Sequence, residues 1–106
     1  MKFSKEFYNK FYRLDAKASH DAIYMAKELF LGKQCLIITK ANGGNVYLTQ
    51  CTVTRIEEGQ RTLFGNIGEM HGICCGTFHG SNEVHLLNID KPFTVKFLNN
   101  LKNLAK

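Results

Sequence analysis

The sequence has no tryptophan, a single proline and no long apolar run. A membrane-spanning helix needs roughly 18 or more consecutive apolar residues, and no segment approaches that length. Charged residues also interrupt the first 14 residues too often for the apolar centre of a signal peptide. We therefore expect a cytoplasmic protein without a membrane span, whose four cysteines stay reduced.

Motifs that would name a reaction are also missing. There is no Gly-Lys-Ser/Thr of a phosphate-binding loop and no Gly-x-Gly-x-x-Gly of a dinucleotide site. No pair of acidic residues has a spacing that implies acid–base catalysis. Glycines recur between residues 65 and 80, which is typical of bulges and bends in short strands. We therefore expect no cofactor and no enzymatic activity.

The composition is that of a folded globular chain. The 106 residues are 44% apolar and 22% charged, and this length suits one domain. A domain of this size hides a smaller share of its surface than a large one, so its core is limited. We therefore expect a single domain, 1–106, that gains stability by forming a homo-oligomer.

Two helices are predicted near the start of the chain, at 4–14 and 20–31. In the first, Phe3, Phe7, Phe11 and Leu14 recur at helical spacing, and Ser4 is the predicted cap. In the second, Ser19 is the predicted cap and Gly32 the C-terminal residue. Its apolar side is predicted from Ala22, Met25, Ala26 and Leu29, with Ile23 and Phe30 on the flanks.

The middle of the chain predicts strands, because short β-branched and apolar runs alternate with turn residues. Their predicted ranges are 34–40, 46–55, 61–67, 73–78 and 83–89. A last helix is predicted at 91–105, with Asp90 as its cap and Pro92 in its first turn. The fold class is therefore α+β, a small bent antiparallel sheet or SH3-like partly open barrel of about five strands, flanked by N-terminal helices and a C-terminal helix.

Aromatic residues are concentrated at the N-terminus. Five large rings within ten residues exceed what one short helix needs to sit on a sheet, and tyrosine is common at protein interfaces. Ordinary core packing is the competing interpretation. The predicted partner-binding residues are Phe3, Phe7, Tyr8, Phe11 and Tyr12.

Positive charge lies at both ends of the chain, whose net charge is +5. The segment 19–90, which contains the predicted strands, is slightly acidic, so any nucleic acid would have to be bound by the terminal helices. Solvated helix faces explain the same lysines without a ligand. The residues predicted to contact nucleic acid in this alternative are Lys2, Lys10, Lys96, Lys102 and Lys106.

A weak metal pattern lies between residues 71 and 85, where thiols and imidazoles are frequent. The candidate zinc ligands are His71, Cys74 and His79, and structural thiols with surface histidines are the alternative. A cysteine nucleophile has no signature around it.

The sequence thus favours a small non-enzymatic binding or regulatory protein that acts through protein–protein contact. The lysine-rich composition fits a phage or mobile-element accessory factor that inhibits a host enzyme. A nucleic-acid-binding module that uses the basic terminal helices is the alternative.

Overall fold

A computed structural model of the chain describes residues 3–89, which form an α+β fold around one antiparallel sheet. The helices are α1, Lys5–Tyr8, and α2, His20–Phe30, and one 3-10 turn covers Asn42–Gly44. The strands are β1 Tyr12–Asp15, β2 Gln34–Lys40, β3 Val46–Glu57, β4 Thr62–Ile67, β5 Met70–Thr77 and β6 Glu83–Asn88. They lie side by side in the order β1-β6-β2-β3-β4-β5.

The first helix is much shorter than predicted. The range 4–14 is wrong as a helix, because only Lys5–Tyr8 is helical and Tyr12–Asp15 forms an edge strand. Leu14 pairs with Val84 of β6 and is only 1% exposed. Burial of Leu14 against a strand far along the chain outweighs the local helical spacing.

The second helix lies where it was predicted, 20–31, but a different side of the helix faces the core. Ser19 caps it as predicted, through a hydrogen bond from a first-turn backbone N–H. Met25 and Leu29, which were predicted to face the core, are 50% and 38% exposed. The predicted apolar side of α2 and the side that faces the core both have helical spacing, so the sequence pattern alone does not distinguish them. The residues that face the core are Ile23, Ala26 and Phe30.

The five predicted strands correspond to β2–β6, with differences only at their ends. The strand β1 was not predicted. The sheet stays open, because β1 and β5 are its two edges and no pairing joins them within residues 3–89. The strands therefore form the predicted bent antiparallel sheet and do not close into a barrel within residues 3–89.

Two glycines allow the sheet to curl. A Cβ atom at Gly65 would collide with the backbone carbonyl oxygen of Thr52 on the neighbouring strand. A Cβ atom at Gly76 would lie 2.9 Å from Thr39 Oγ1 and 3.1 Å from Val84 Cγ1. Because Thr39 and Val84 belong to β2 and β6, the β5 edge bends over the middle of the sheet. The register also shifts within the β3–β4 and β4–β5 pairs, as β-bulges require.

The curled sheet has two covered faces. The inner face packs against α2 and forms the main core, in which Ile37, Val53, Leu63 and Phe78 are fully buried. The outer face carries a smaller cluster in which Phe3 packs on Ile38 of β2. The segment before β1, with α1, therefore covers the outer face of the sheet, and α2 covers the inner face.

The predicted C-terminal helix, 91–105, lies outside the described residues, as do its predicted cap Asp90 and Pro92. Within residues 3–89, neither helix has the length and apolar character needed to cross a membrane.

Replacing Gly65 with alanine tests the close approach of β3 and β4. The added methyl group meets backbone, which cannot move aside, so we expect a loss of about 2 kcal/mol in the free energy of unfolding. Urea titration followed by far-UV circular dichroism measures it. Gly59→Ala is the matched control, because a Cβ there has no neighbour within 4 Å and should change stability by less than about 0.5 kcal/mol. Equal effects of the two substitutions would contradict the packing argument.

Candidate binding surface

The aromatic residues predicted to bind a partner are packed mostly within the chain. Ser4 accepts a hydrogen bond from the backbone N–H of Phe7 at 3.2 Å and so holds the short helix α1. The rings of Phe3 and Phe7 stack with centroids 4.7 Å apart, and Phe11 follows at 5.1 Å from Phe7. Phe3 is only 7% exposed. This aromatic row covers the outer face of the sheet and leaves the sides of Phe7 and Phe11 partly accessible.

Beside the aromatic row lies a polar cluster centred on Glu83. Arg13 Nη2 donates to Glu83 Oε2 at 2.8 Å, and His85 Nε2 lies 2.9 Å from Glu83 Oε1. Lys40 Nζ lies 3.5 Å from Glu83 Oε1 and 4.7 Å from the centre of the Tyr8 ring. The Tyr8 ring in turn lies against His85, with 4.7 Å between centroids. The cluster therefore connects α1, β1, β2 and β6.

The cluster shifts the pKa values of its acid and its imidazole. Burial alone would raise the pKa of Glu83, but hydrogen bonds from Arg13 and His85, together with their charges, lower it to about 2. Burial lowers the pKa of His85, and the hydrogen bond with Glu83 only partly opposes this. At neutral pH the cluster thus holds an ionised carboxylate and a neutral imidazole whose Nε2–H donates to it.

This arrangement is better suited to holding strands together than to catalysis. A general base must reach a proton on a bound substrate, but His85 is 5% exposed and covered by Tyr8. Arg13 is also engaged by Asp15, with Nη1 and Oδ2 3.0 Å apart. The charges of the cluster are therefore used within the chain.

An apolar notch opens at the edge of the sheet, beyond the start of β1. The pairing of β1 with β6 begins at Tyr12 and Leu86, so the last residues of β6 extend past the edge strand. The hydroxyl of Tyr12 donates to the backbone oxygen of Ala22 at 2.7 Å and fixes this edge against α2. The notch has a volume of about 340 Å³ and is lined by Lys10, Phe11, Tyr12, Leu29, Phe30, Leu86, Leu87 and Asn88.

Exposed apolar side chains continue from the notch onto α2. Six large apolar residues are exposed within residues 3–89, and four of them lie between positions 24 and 31. Of these four, Leu29 also lines the notch. Met25 lies four residues before Leu29, so these two share one side of α2, and an exposed apolar area of this kind is typical of interaction surfaces. The four residues are Tyr24, Met25, Leu29 and Leu31.

The candidate zinc ligands are placed on β5 and the loop after it. His71, Cys74 and His79 are all exposed. Within residues 3–89, no three His, Cys, Asp or Glu side chains come close enough to hold a metal ion together. Adjacent Cys74 and Cys75 have opposite exposure, because one faces solvent and the other is buried in the core.

Of the lysines predicted to contact nucleic acid, Lys10 lines the apolar notch. The others, Lys2, Lys96, Lys102 and Lys106, lie outside the described residues. Residues 3–89 carry nine basic and eight acidic residues, a balance of +1, so the excess charge of the chain lies in the remaining residues.

Comparisons with protein-family models, with curated proteins and with solved structures gave no match. The surface must therefore be interpreted from its own residues. Phe11 and Tyr12, two of the predicted partner-binding residues, line the notch, whereas Met25 and Leu29 were predicted to lie on the apolar side of α2. It missed the Glu83 cluster, although Glu83 and His85 are two residues apart in a predicted strand and must share a face.

Replacing Glu83 with glutamine tests the polar cluster. The pKa of the Glu83 carboxyl group falls from an ordinary 4.5 to about 2 on folding. The ionised carboxylate therefore stabilises the fold above about pH 5. That contribution is lost as the pH falls toward 2. We expect the free energy of unfolding of the variant to be about 1 to 2 kcal/mol lower than that of the wild type at pH 7, after solvent screening. Between pH 5 and pH 2, the free energy of unfolding should fall less steeply for the variant than for the wild type. Urea titrations across that range measure it.

Glu69→Gln is the matched control, because Glu69 is exposed and outside the cluster. A wild-type stability that does not change between pH 5 and pH 2 would contradict the role assigned to Glu83.

Proposed function

We propose that this chain is a small non-enzymatic binding protein that acts through protein–protein contact. Its contact surface consists of the apolar notch and the exposed residues of α2 beside it. The observation that supports the proposal most strongly is the concentration of exposed apolar residues at positions 24–31, next to an open apolar recess. Interfaces of this kind depend on a few large side chains that fill pockets on the other protein.

The notch favours one kind of occupant. Leu29, Leu86 and Leu87 offer apolar walls, so the partner segment should insert a large apolar side chain between them. Among residues 3–89, Lys10 is the one charged residue that lines the notch. An acidic residue beside the inserted side chain would therefore complement the rim. We infer a partner segment with an exposed apolar anchor and an adjacent carboxylate.

Contacts that hold α2 against the sheet also support the notch as the contact surface. Asn88 Nδ2 donates to the backbone oxygen of Leu29 at 3.0 Å, and the rings of Tyr12 and Phe30 meet edge to face at 5.8 Å. Both contacts tie α2 to the sheet across the notch. A recess that is already formed loses less conformational entropy when it binds than a surface that must order first.

The wider biological interpretation belongs to the same proposal. A cytoplasmic accessory factor of a phage or mobile element, which inhibits a host enzyme by contact, would need this kind of surface and no active site. A second copy of the chain is another possible occupant of the notch. The nucleic-acid alternative depends on the lysines near the two termini and would show as binding that weakens steeply with salt.

Site-specific photo-crosslinking tests the surface. We place a photoreactive phenylalanine at Leu29 in the notch and, as a control, at Met70, which is 56% exposed on β5. After irradiation in extract of the source cells, we expect one discrete adduct from position 29 and none from position 70. The adduct should also form when the extract is irradiated at high salt, because apolar contacts are not screened by salt.

Competition makes the test specific. An excess of wild-type protein should suppress the adduct, whereas an excess of Leu29→Ser should not, with Met70→Ser as the matched competitor. Equal adducts from both positions would overturn the proposal. An adduct with the mass of two copies would assign the notch to self-association. An adduct with nucleic acid, abolished by salt, would favour the alternative function.

A further inference from the structure

One apolar patch on the outer face of the sheet lies outside the two apolar clusters. Leu36 is two residues before Ile38 on β2, so both side chains project from the outer face. Leu36 is only 1% exposed, yet within residues 3–89 it belongs neither to the main core nor to the cluster of Phe3 and Ile38. A side chain on the face of a sheet becomes this deeply buried when a second layer covers it.

The strands on either side of Leu36 extend the patch. Leu36 pairs with Leu87 of β6 and with Gln50 of β3. Residues directly opposite each other in an antiparallel ladder point to the same side, so all three side chains share the outer face. Neighbouring strands lie about 5 Å apart, so the patch is about 10 Å wide. One helix, which is about 10 Å across, is enough to cover it.

A polar atom beside Leu36 lacks a hydrogen-bond partner. Gln34 is two residues before Leu36 on the same face, and its Nε2 donates to Thr52 Oγ1 at 3.3 Å. The Oε1 atom of Gln34 is buried and accepts no hydrogen bond from residues 3–89. A buried amide oxygen without a donor costs free energy. The group that covers the patch should therefore supply a donor to Gln34.

The segment 90–106 begins beside this patch. The backbone N–H of Ile89 donates to the backbone oxygen of Gln34 at 3.0 Å, so the chain leaves β6 next to the unpaired amide oxygen. Large apolar residues recur in the segment at helical spacing, with lysines and asparagines between them. The helix predicted at 91–105 would be about 22 Å long, which exceeds the width of the patch. These apolar residues are Phe97, Leu98, Leu101 and Leu104.

We propose that residues 90–106 cover the outer face of the sheet over Leu36 and Leu87, with the apolar side of the segment against the strands. A lysine or asparagine side chain of the segment donates to Gln34 Oε1. The other lysines face away from the sheet, where water solvates their charges. The patch is on the β2 side of β6, whereas the notch opens on its β1 side, so this docking does not depend on the proposed contact with a partner.

The exposed side of α2 is the competing position for the segment, because its side chains are also apolar. Met25 and Leu29 are 50% and 38% exposed, whereas Leu36 is buried. An apolar segment packed on α2 would bury Met25 and Leu29. The difference in exposure therefore favours the outer face of the sheet.

Photo-crosslinking in the full-length protein tests the docking. A photoreactive phenylalanine replaces Gln50 or, in a second variant, Thr52, both of which lie on the outer face. After irradiation and trypsin digestion, we expect each position to be joined to a peptide from 91–106. The control position is Met70 on β5, which is 56% exposed and three strands away from β2, and it should give no such peptide.

Isotope labelling shows which chain supplies the segment. An equal mixture of unlabelled and nitrogen-15-labelled protein is irradiated, and we expect both joined peptides to come from the same chain. Crosslinks between the two isotopes would assign the patch to a second copy. Crosslinks confined to residues 3–89 would show that the segment lies elsewhere, and either result would overturn the proposal.

A substitution within the segment gives a second readout. Leu101→Ser should lower the urea midpoint and weaken the crosslink from position 50, because it removes an apolar contact with the sheet. Asn99→Ser, on the opposite side of the predicted helix, is the matched control and should change neither. Circular dichroism confirms that each variant is folded before irradiation. An unchanged midpoint and an unchanged crosslink in Leu101→Ser would also contradict the docking.

Discussion

The curvature of the sheet is the constraint on which the other features of this molecule depend. It requires a close approach of backbones at Gly65 and a second one at Gly76, where the far edge reaches Thr39 and Val84. A side chain larger than hydrogen at either position would crowd the neighbouring strands. Within residues 3–89, α2 packs on the inner face of the curled sheet, and strands that are not neighbours share a single core.

The two faces of β1 have different uses. On one face, Arg13 joins the carboxylate of Glu83 and thereby holds the edge strand to β6. On the other face, Tyr12 anchors the strand to α2, and the notch opens where the pairing stops. The charges of the Glu83 cluster are thus paired within the chain, while apolar side chains line the notch. The proposal of a binding protein depends on this division.

Sequence patterns correctly predicted those elements that depend on neighbouring residues along the chain. The bounds of β2 and the cap at Ser19 follow from short apolar runs and from capping chemistry. The two errors have different causes. Leu14 has helical spacing but pairs with the distant Val84. Leu29 has the spacing of a core residue but is exposed, because a second apolar stripe of α2 faces the core. The notch combines residues 10–12, 29–30 and 86–88, so no single stretch of sequence contains it.

The pairing of β1 with β6 has a consequence for folding. These strands are separated by about 70 residues, as the bond from Arg13 to Glu83 shows, and closing so long a loop costs more entropy than forming the hairpins between β2 and β5. The hairpins should therefore form first, and β1 should dock last. Since Tyr12 of β1 lines the notch, the proposed contact surface would be complete only after the final step of folding, and a partially folded chain would not present it.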